Sequence, residues 1–239
     1  MRIAIVSDIH GNRTAFEAVL ADLRQTSPDL ILHGGDLADN GASPAEIVDC
    51  IRELGWQGVV GNTDEMLFMP ESLKEFANQS PKLQPLFAVI GEMAVATREA
   101  LGEERLAWLR SLPRKQILGP MALVHASPES RWWAPAPEAS DAELESVYRP
   151  LGQPIAVYAH IHRSYIRSFS GMIVANTGSV SLSYDGDRRA CYLLLDGSKP
   201  AIRRVDYDLH SELRALAGCS LPHADWVAKI LDCGRPQMP

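Results

Sequence analysis

Ile3-Ala4-Ile5-Val6-Ser7-Asp8-Ile9-His10 is an apolar, strand-like run that ends on two metal-ligand residue types separated by one residue. The same arrangement recurs along the chain. Leu30 to Leu32 leads to Gly35-Asp36, Val59-Val60 to Gly61-Asn62, Met121 to Val124 to His125, and Ile155 to Tyr158 to His160-Ile161-His162. Polar groups at strand ends gather along one edge of a sheet, where α/β proteins build their sites. In extended backbone, residues i and i+2 share a face, so Asp8 with His10, and His160 with His162, are each expected to reach one ion. The donors are only oxygen and nitrogen, which suits hard-to-borderline divalent metals and metal-assisted hydrolysis.

Between these runs the pattern alternates. Arg2–Ser7 reads as a strand, and Thr14–Arg24 carries Phe16, Val19, Leu20 and Leu23 at helical spacing. Leu30–His33 is the next strand. Pro44–Leu54 is the next helix, with Ser43 as N-cap and Pro44 at its first position, and Gly58–Val60 closes a third strand. Repeated βα units imply a parallel sheet core. Residues 65–112 read as a helical insertion near the site or as outer helices, with a short strand at Ala88–Val95 and a helix around Leu106–Leu112.

From Arg114 strands dominate: Lys115–Leu118, Met121–His125, Ile155–Ala159, Tyr165–Ser168, Met172–Asn176, Cys191–Leu195 and Ile202–Tyr207. Helices are predicted at Asp141–Arg149, His210–Ala217 and Ala224–Leu231, and Gly119-Pro120 and Ser170-Gly171 mark hairpins. The order predicts one domain over residues 1–239: a four-layer α/β/β/α sandwich of two mixed sheets flanked by helices, with 234–239 as a flexible tail.

Composition narrows the function classes. The 239 residues are 46% hydrophobic, enough to bury a full core. The net charge of −7, with no basic stripe, argues against duplex nucleic acid as a partner. Cys50, Cys191, Cys219 and Cys233 form no Cys-x-x-Cys pair, so free thiols in a reducing compartment are expected. No signal peptide and no apolar run of about 20 residues is evident, so a cytoplasmic, soluble protein without a membrane partner is expected. Oligomeric state is not legible.

Singly, each site residue has an ordinary explanation. An Asp after Gly-Gly is commonly a turn former, a His at a strand end commonly structural, and Asn after Gly commonly turn chemistry. Their ordered recurrence at strand ends favours a site. As a set, the segments resemble the calcineurin-like metallophosphoesterases, whose pattern runs D-x-H, G-D, G-N, a lone H and G-H-x-H. The resemblance spans Asp8 to Asp196. Ser7-Asp8-Ile9-His10-Gly11-Asn12 is also similar to the small prokaryotic phosphodiesterases and diadenosine-tetraphosphatase-like enzymes, and Asn176-Thr177-Gly178-Ser179-Val180 resembles the N-P-G-S segment of the former.

The resemblance implies two divalent ions, with Mn foremost and Fe, Zn, Ni or Co as options. Asp8, His10, Asp36 and His162 would hold one; Asp36, Asn62, His125 and His160 would hold the other, with Asp36 shared. Asp36, Asn62 and His125 are then the catalytic candidates, and a water activated between the ions would attack a small phosphoester or nucleotide substrate. A phosphodiesterase is the favoured reading. A dinucleoside-polyphosphate hydrolase, a phosphomonoesterase and a non-catalytic binding scaffold are the alternatives. Two positions depart from the pattern. Thr63 stands where many members carry a His near the leaving group, and Ala159 stands for the Gly of G-H-x-H.

Several residues are ambiguous. His33 is expected to be buried or to sit behind the ligands, and His210 and His223 to lie at surface or capping positions. Asp64 either supports a ligand loop or makes a turn. Asn12 and Arg13 stand where a first helix begins, so Asn12 is both N-cap and phosphate-contact candidate. Asn62 and Arg131 complete the substrate-binding candidates. Trp132-Trp133 either packs or covers the site, and packing is the simpler reading for at least one of the two.

Overall fold

Alternation along the first strand shows how the layers arise. Ile3 and Ile5 pack with Met121, Leu123, Ile155 and Val157, whereas Ala4 and Val6 on the opposite face pack with Phe16, Val19 and Leu23. A strand covered on both faces reads as an unbroken apolar run, which is why the alternation is invisible in Ile3-Ala4-Ile5-Val6. The computed structural model describes residues 1–239. Its elements are β1 (Arg2–Val6), α1 (Arg13–Thr26), β2 (Leu30–His33), α2 (Pro44–Glu53), β3 (Gln57–Gly58), α3 (Asn62–Phe68), α4 (Glu71–Asn78) and α5 (Gln84–Ser111). There follow β4 (Lys115–Leu118), β5 (Met121–Val124), α6 (Asp141–Tyr148), β6 (Ile155–Tyr158), β7 (Tyr165–Phe169), β8 (Met172–Asn176), β9 (Ala190–Asp196), β10 (Lys199–Val205), α7 (Leu209–Gly218) and α8 (Ala224–Cys233).

Two five-stranded mixed sheets form, in the orders β10-β9-β1-β2-β3 and β4-β5-β6-β8-β7. In the first, β1, β2 and β3 are parallel and β9 runs antiparallel to β1. In the second, β5, β6 and β8 are parallel, with β4 and β7 antiparallel at the edges. An inter-sheet layer of eleven buried residues joins them. Outside the first sheet lie α1, α2 and α5, and outside the second lies α6, whose Leu144 and Tyr148 meet Val124, Ala156 and Tyr158. This is the four-layer sandwich read from the sequence. A further apolar cluster joins α5 to α7 and α8 through Met93, Leu216, Trp226, Val227 and Ile230.

Three element assignments change, the first being the third strand, which is Gln57–Gly58 and leaves Val59-Val60 beyond it. Ala88–Val95 is no strand but part of α5. Its apolar side chains serve a helix face, with Phe87, Ala94, Thr97 and Leu101 buried at intervals of three, four or seven, whereas a short apolar window looks the same in either state. The helical stretch at Leu106–Leu112 belongs to the same element, beyond a break at Gly102 (φ 67°, ψ 169°). The last strand starts three residues earlier than predicted, because β10 pairs with β9 from Lys199↔Asp196 onward, across the Gly197-Ser198 turn. No helix is long and apolar enough to cross a membrane. All four cysteines are free thiols. In the 234–239 segment, the Gln237 carbonyl accepts a hydrogen bond of 2.9 Å from Trp226 Nε1.

Candidate metal centre

The ligand candidates lie just beyond the strands, not within them. Asp8, His10, Asp36, His160 and His162 all have positive φ, between 49° and 68°. The extended i, i+2 argument is therefore corrected: Asp8 with His10, and His160 with His162, converge through left-handed backbone. Such backbone costs on the order of 1 kcal/mol or more per non-glycine residue and persists where the surroundings dictate it. Here hydrogen bonds between loops do so. Asp8 N donates to Gly35 O (3.0 Å), His10 N to Asp36 O (3.1 Å), Val180 N to Ser7 O (3.1 Å) and Ala159 N to His125 O (2.8 Å). Close approach explains two glycines. A Cβ on Gly61 would lie 2.0 Å from Asp36 Oδ1, and one on Gly41 would lie 1.9 Å from the His10 carbonyl oxygen.

Three imidazoles are oriented in one way. The Nδ1 of His10, His125 and His162 meets the carbonyl oxygens of Asp39 (2.9 Å), Gly34 (2.8 Å) and Leu182 (2.6 Å). With Nδ1–H donated to a carbonyl, Nε2 carries the free lone pair that a metal takes. These Nε2 atoms converge. His10 Nε2 is 3.3 Å from His162 Nε2, which is 3.2 Å from Asp8 Oδ1. Asp36 Oδ2 lies 3.8 Å from His10 Nε2 and 3.4 Å from His125 Nε2. Asn62 Oδ1 is 2.9 Å from both His125 Nε2 and His160 Nδ1. All seven residues thus gather into two groups that meet at Asp36.

Asp8, His10, Asp36 and His162 are buried, with ligand atoms within 4.8 Å of one another. The donor set fits divalent cations. Two imidazole nitrogens facing each other with their lone pairs repel unless a cation or proton lies between them, and Asp8 Oδ2 is buried without a partner. Burial pushes the Asp8 and Asp36 carboxyls up, yet nearby imidazoles outweigh it, chiefly His162 for Asp8 and His125 for Asp36. Both end below the usual carboxylate range. Burial likewise opposes charge on His125, but Asp36 beside it raises the ring to about 9. His160 is lowered to about 4 by burial and by the charge of His125, and His10 is lowered by burial and by His162. The site holds carboxylates ready to ligate and a proton position that a cation would take over.

Asp64 resolves as a support. Its carboxylate accepts from Asp36 N (2.8 Å), Leu37 N (2.9 Å) and Gly61 N (3.0 Å), binding the Asp36 loop to the Asn62 loop. Burial and the charge of Asp36 raise it to about 6. Thr63 N donates to Asp36 Oδ1 (2.9 Å), while Thr63 Oγ1 is buried without a partner.

Asn12 is buried and caps α1 by accepting from Ala15 N, and its amide nitrogen donates to Ser181 Oγ (3.2 Å). Arg131 pairs with Glu65, so its guanidinium is engaged inside the protein. Trp132 Nε1 donates to Glu65 Oε2 (2.9 Å) and its ring packs 5.2 Å from Phe76, whereas Trp133 is exposed. His33 is fully buried against Trp108, and burial lowers it to about 3. His223 begins α8 and meets Glu92 at 2.8 Å.

Sequence reading missed Glu65, Tyr184 and Asp39. Tyr184 stacks on His162, centroids 4.6 Å apart. Asp39 is buried with both oxygens unpartnered, and burial raises it to about 7. Gly-Gly-Asp-x-x-Asp spacing is the only local signal for Asp39; Glu65 and Tyr184 depend on residues distant in the chain.

Residues 1–199 match the model of the calcineurin-like phosphoesterase superfamily domain. The chain belongs to that superfamily. It is 30% identical, over 98% of each chain, to an uncharacterised protein of Methanocaldococcus jannaschii. A metallophosphoesterase from Sphaerobacter thermophilus has a similar crystal structure, with TM-score 0.77 and 26% identity over 98% of this chain and 100% of that one. An 84-residue stretch, 33% of this chain and 31% of the relative, is 37% identical to a probable cyclic nucleotide phosphodiesterase of Synechococcus sp.. Membership in the calcineurin-like superfamily and the buried Asp/His cluster together point to divalent metal binding.

Proposed function

We propose that the protein hydrolyses small phosphoesters, with phosphodiesters and nucleotide-type esters preferred, using two divalent cations. Asp8, His10, Asp36 and His162 would hold one, and Asp36, Asn62, His125 and His160 the other. The observation that carries this reading is the position of Asp36 Oδ2, within 3.8 Å of His10 Nε2 and 3.4 Å of His125 Nε2, one from each ligand group. Bound there, the cations would supply Lewis acidity, bringing a water's pKa near neutrality and neutralising phosphoryl oxygens; Mn is the expected ion, with Fe, Zn, Ni or Co as alternatives.

The chain's own residues supply positioning. The carbonyls of Asp39, Gly34 and Leu182 fix three imidazole rings, and Asp64 ties two ligand loops together. Thr63 anchors Asp36 through its backbone, but its hydroxyl is a poor acid near neutral pH, so better leaving groups are favoured. Sequence similarity to a probable cyclic nucleotide phosphodiesterase supports the diester preference.

Chelator-stripped protein should be inactive on bis(p-nitrophenyl) phosphate and should recover with Mn²⁺. Absence of metal-dependent turnover across a panel of diesters, monoesters and dinucleotides would falsify the enzyme reading.

A further inference from the structure

The pocket over the ligand groups has two unlike walls. It encloses about 220 Å³, with ligand residues on one side and Ile90, Leu182, Tyr184, Trp226, Val227 and Ile230 on the other. No lysine or arginine lines it. Arg131, the cation that the sequence offered for a substrate phosphate, is paired with Glu65. Nothing in the pocket lining carries a permanent positive charge of its own, so cations held by the ligand groups would supply all of it.

Resting on the phosphoester reading above, we infer that this pocket selects phosphodiesters with one negative charge and a small apolar or aryl alcohol, and that Trp226 of α8, with Ile90 of α5 and Tyr184, sets that preference.

Charge argues first. No lysine or arginine lines the pocket, so each additional negative charge on a substrate would have only cations held by the ligand groups to meet it. A phosphomonoester dianion or a polyphosphate chain is penalised on that account. A diester monoanion is penalised least, and one of its two organic groups can rest on the apolar wall.

Size argues second. Pockets for drug-sized ligands span about 300–1,000 Å³, so this half-open one covers a phosphate with one modest substituent, and most of a dinucleoside polyphosphate would extend outside it. The wall is also fixed. Trp226 donates its indole N–H to the Gln237 carbonyl, so its polar group is satisfied. Tyr184 is stacked on His162, and His223 at the start of α8 bonds Glu92 of α5. An apolar surface held in this way favours an apolar group over water without reorganising.

The test uses the metal-loaded full chain and esters sharing one leaving group: phenyl p-nitrophenyl phosphate, methyl p-nitrophenyl phosphate and p-nitrophenyl phosphate, with diadenosine tetraphosphate as a fourth substrate. The phenyl diester should exceed the methyl diester and the monoester in kcat/KM by about tenfold or more. Trp226→Ala, or Trp226→Leu if the first variant misfolds, should shrink the phenyl-to-methyl preference, and Ile90→Lys should move the balance toward the monoester. A monoester or tetraphosphate turned over better than the phenyl diester by the wild type would overturn the inference, as would an unchanged phenyl-to-methyl ratio in a folded Trp226 variant. Turnover of none of the four would count against the phosphoesterase reading itself. Tryptophan-fluorescence titration then decides recognition alone: diphenyl phosphate binding about tenfold tighter than inorganic phosphate supports the inference, and equal or weaker binding overturns it.

Discussion

Asp36 is fixed by both ends of its carboxylate. Oδ1 accepts from Thr63 N, Oδ2 lies between His10 and His125, and its backbone N–H is held by Asp64. Asp36→Asn removes the charge common to both ligand groups, so metal content measured by elemental analysis should fall at both positions. His33→Leu, three residues earlier, should leave it near normal; equal losses would contradict the ligand assignment. His33 makes a separate prediction. Its folded pKa of about 3 lies below the usual 6.5, so the unfolded chain takes up the proton first as pH falls. Its contribution to stability is therefore lost as pH drops from about 6.5 toward 3, by on the order of a few kcal/mol. Urea unfolding of His33→Leu should show a flatter acid limb than wild type over that window, and parallel limbs would refute the assignment. Thr63→His should help esters with poor leaving groups more than good ones, and a uniform effect across leaving-group pKa would refute the missing-acid argument. The candidate ligand residues were legible because each lies within four residues of the end of an apolar run. Tyr184 was not, because its partner is a ring on another loop.

At the scale of elements, α3 joins the two halves of the site. Its first residue is Asn62, Asp64 ties it to the Asp36 loop, and Glu65 holds Arg131 and Trp132 in the segment that follows His125. Gly61 immediately before it has no room for a side chain, since a Cβ would overlap Asp36. Gly61→Ala should displace that carboxylate and lower metal content and activity together, with a stability loss of about 1–3 kcal/mol in denaturant unfolding. Normal metal content in a folded Gly61→Ala protein would show that the crowding is tolerated. Element types were legible where period and capping agreed, as for α1 and α2. They were not for Ala88–Val95, where a brief apolar window lies inside a helix that runs from Gln84 to the break at Gly102. The supports made by Glu65 were equally hidden, because ion pairs across 66 positions leave no local pattern.

In the whole molecule, the first sheet supplies Asp8, His10, Asp36 and Asn62 from the ends of β1, β2 and β3, and the second supplies His125, His160 and His162 from the ends of β5 and β6. The inter-sheet layer of eleven buried residues holds the two sets opposite each other. Ions bound between them would link the sheets, so metal should stabilise the fold. At about one hundred times Kd the linkage is worth ~2.7 kcal/mol, or about 5–10 °C in Tm for a chain of this size. Thermal unfolding of chelated protein with and without added Mn²⁺ measures it, and an unchanged Tm at saturating metal would exclude ions shared between the sheets.

The left-handed backbone at five of the seven proposed ligand positions bears on protein design. Copying Asp-x-His and His-x-His onto the strand ends of another α/β scaffold would reproduce the letters without the donor array, because the side chains are aimed by loops laced to one another. The smallest transferable unit is the set of loops after β1, β2, β3, β5 and β6, together with Ser179–Leu182, whose backbone anchors Asp8 and His162. A graft carrying only the ligands would give an ordinary acidic turn.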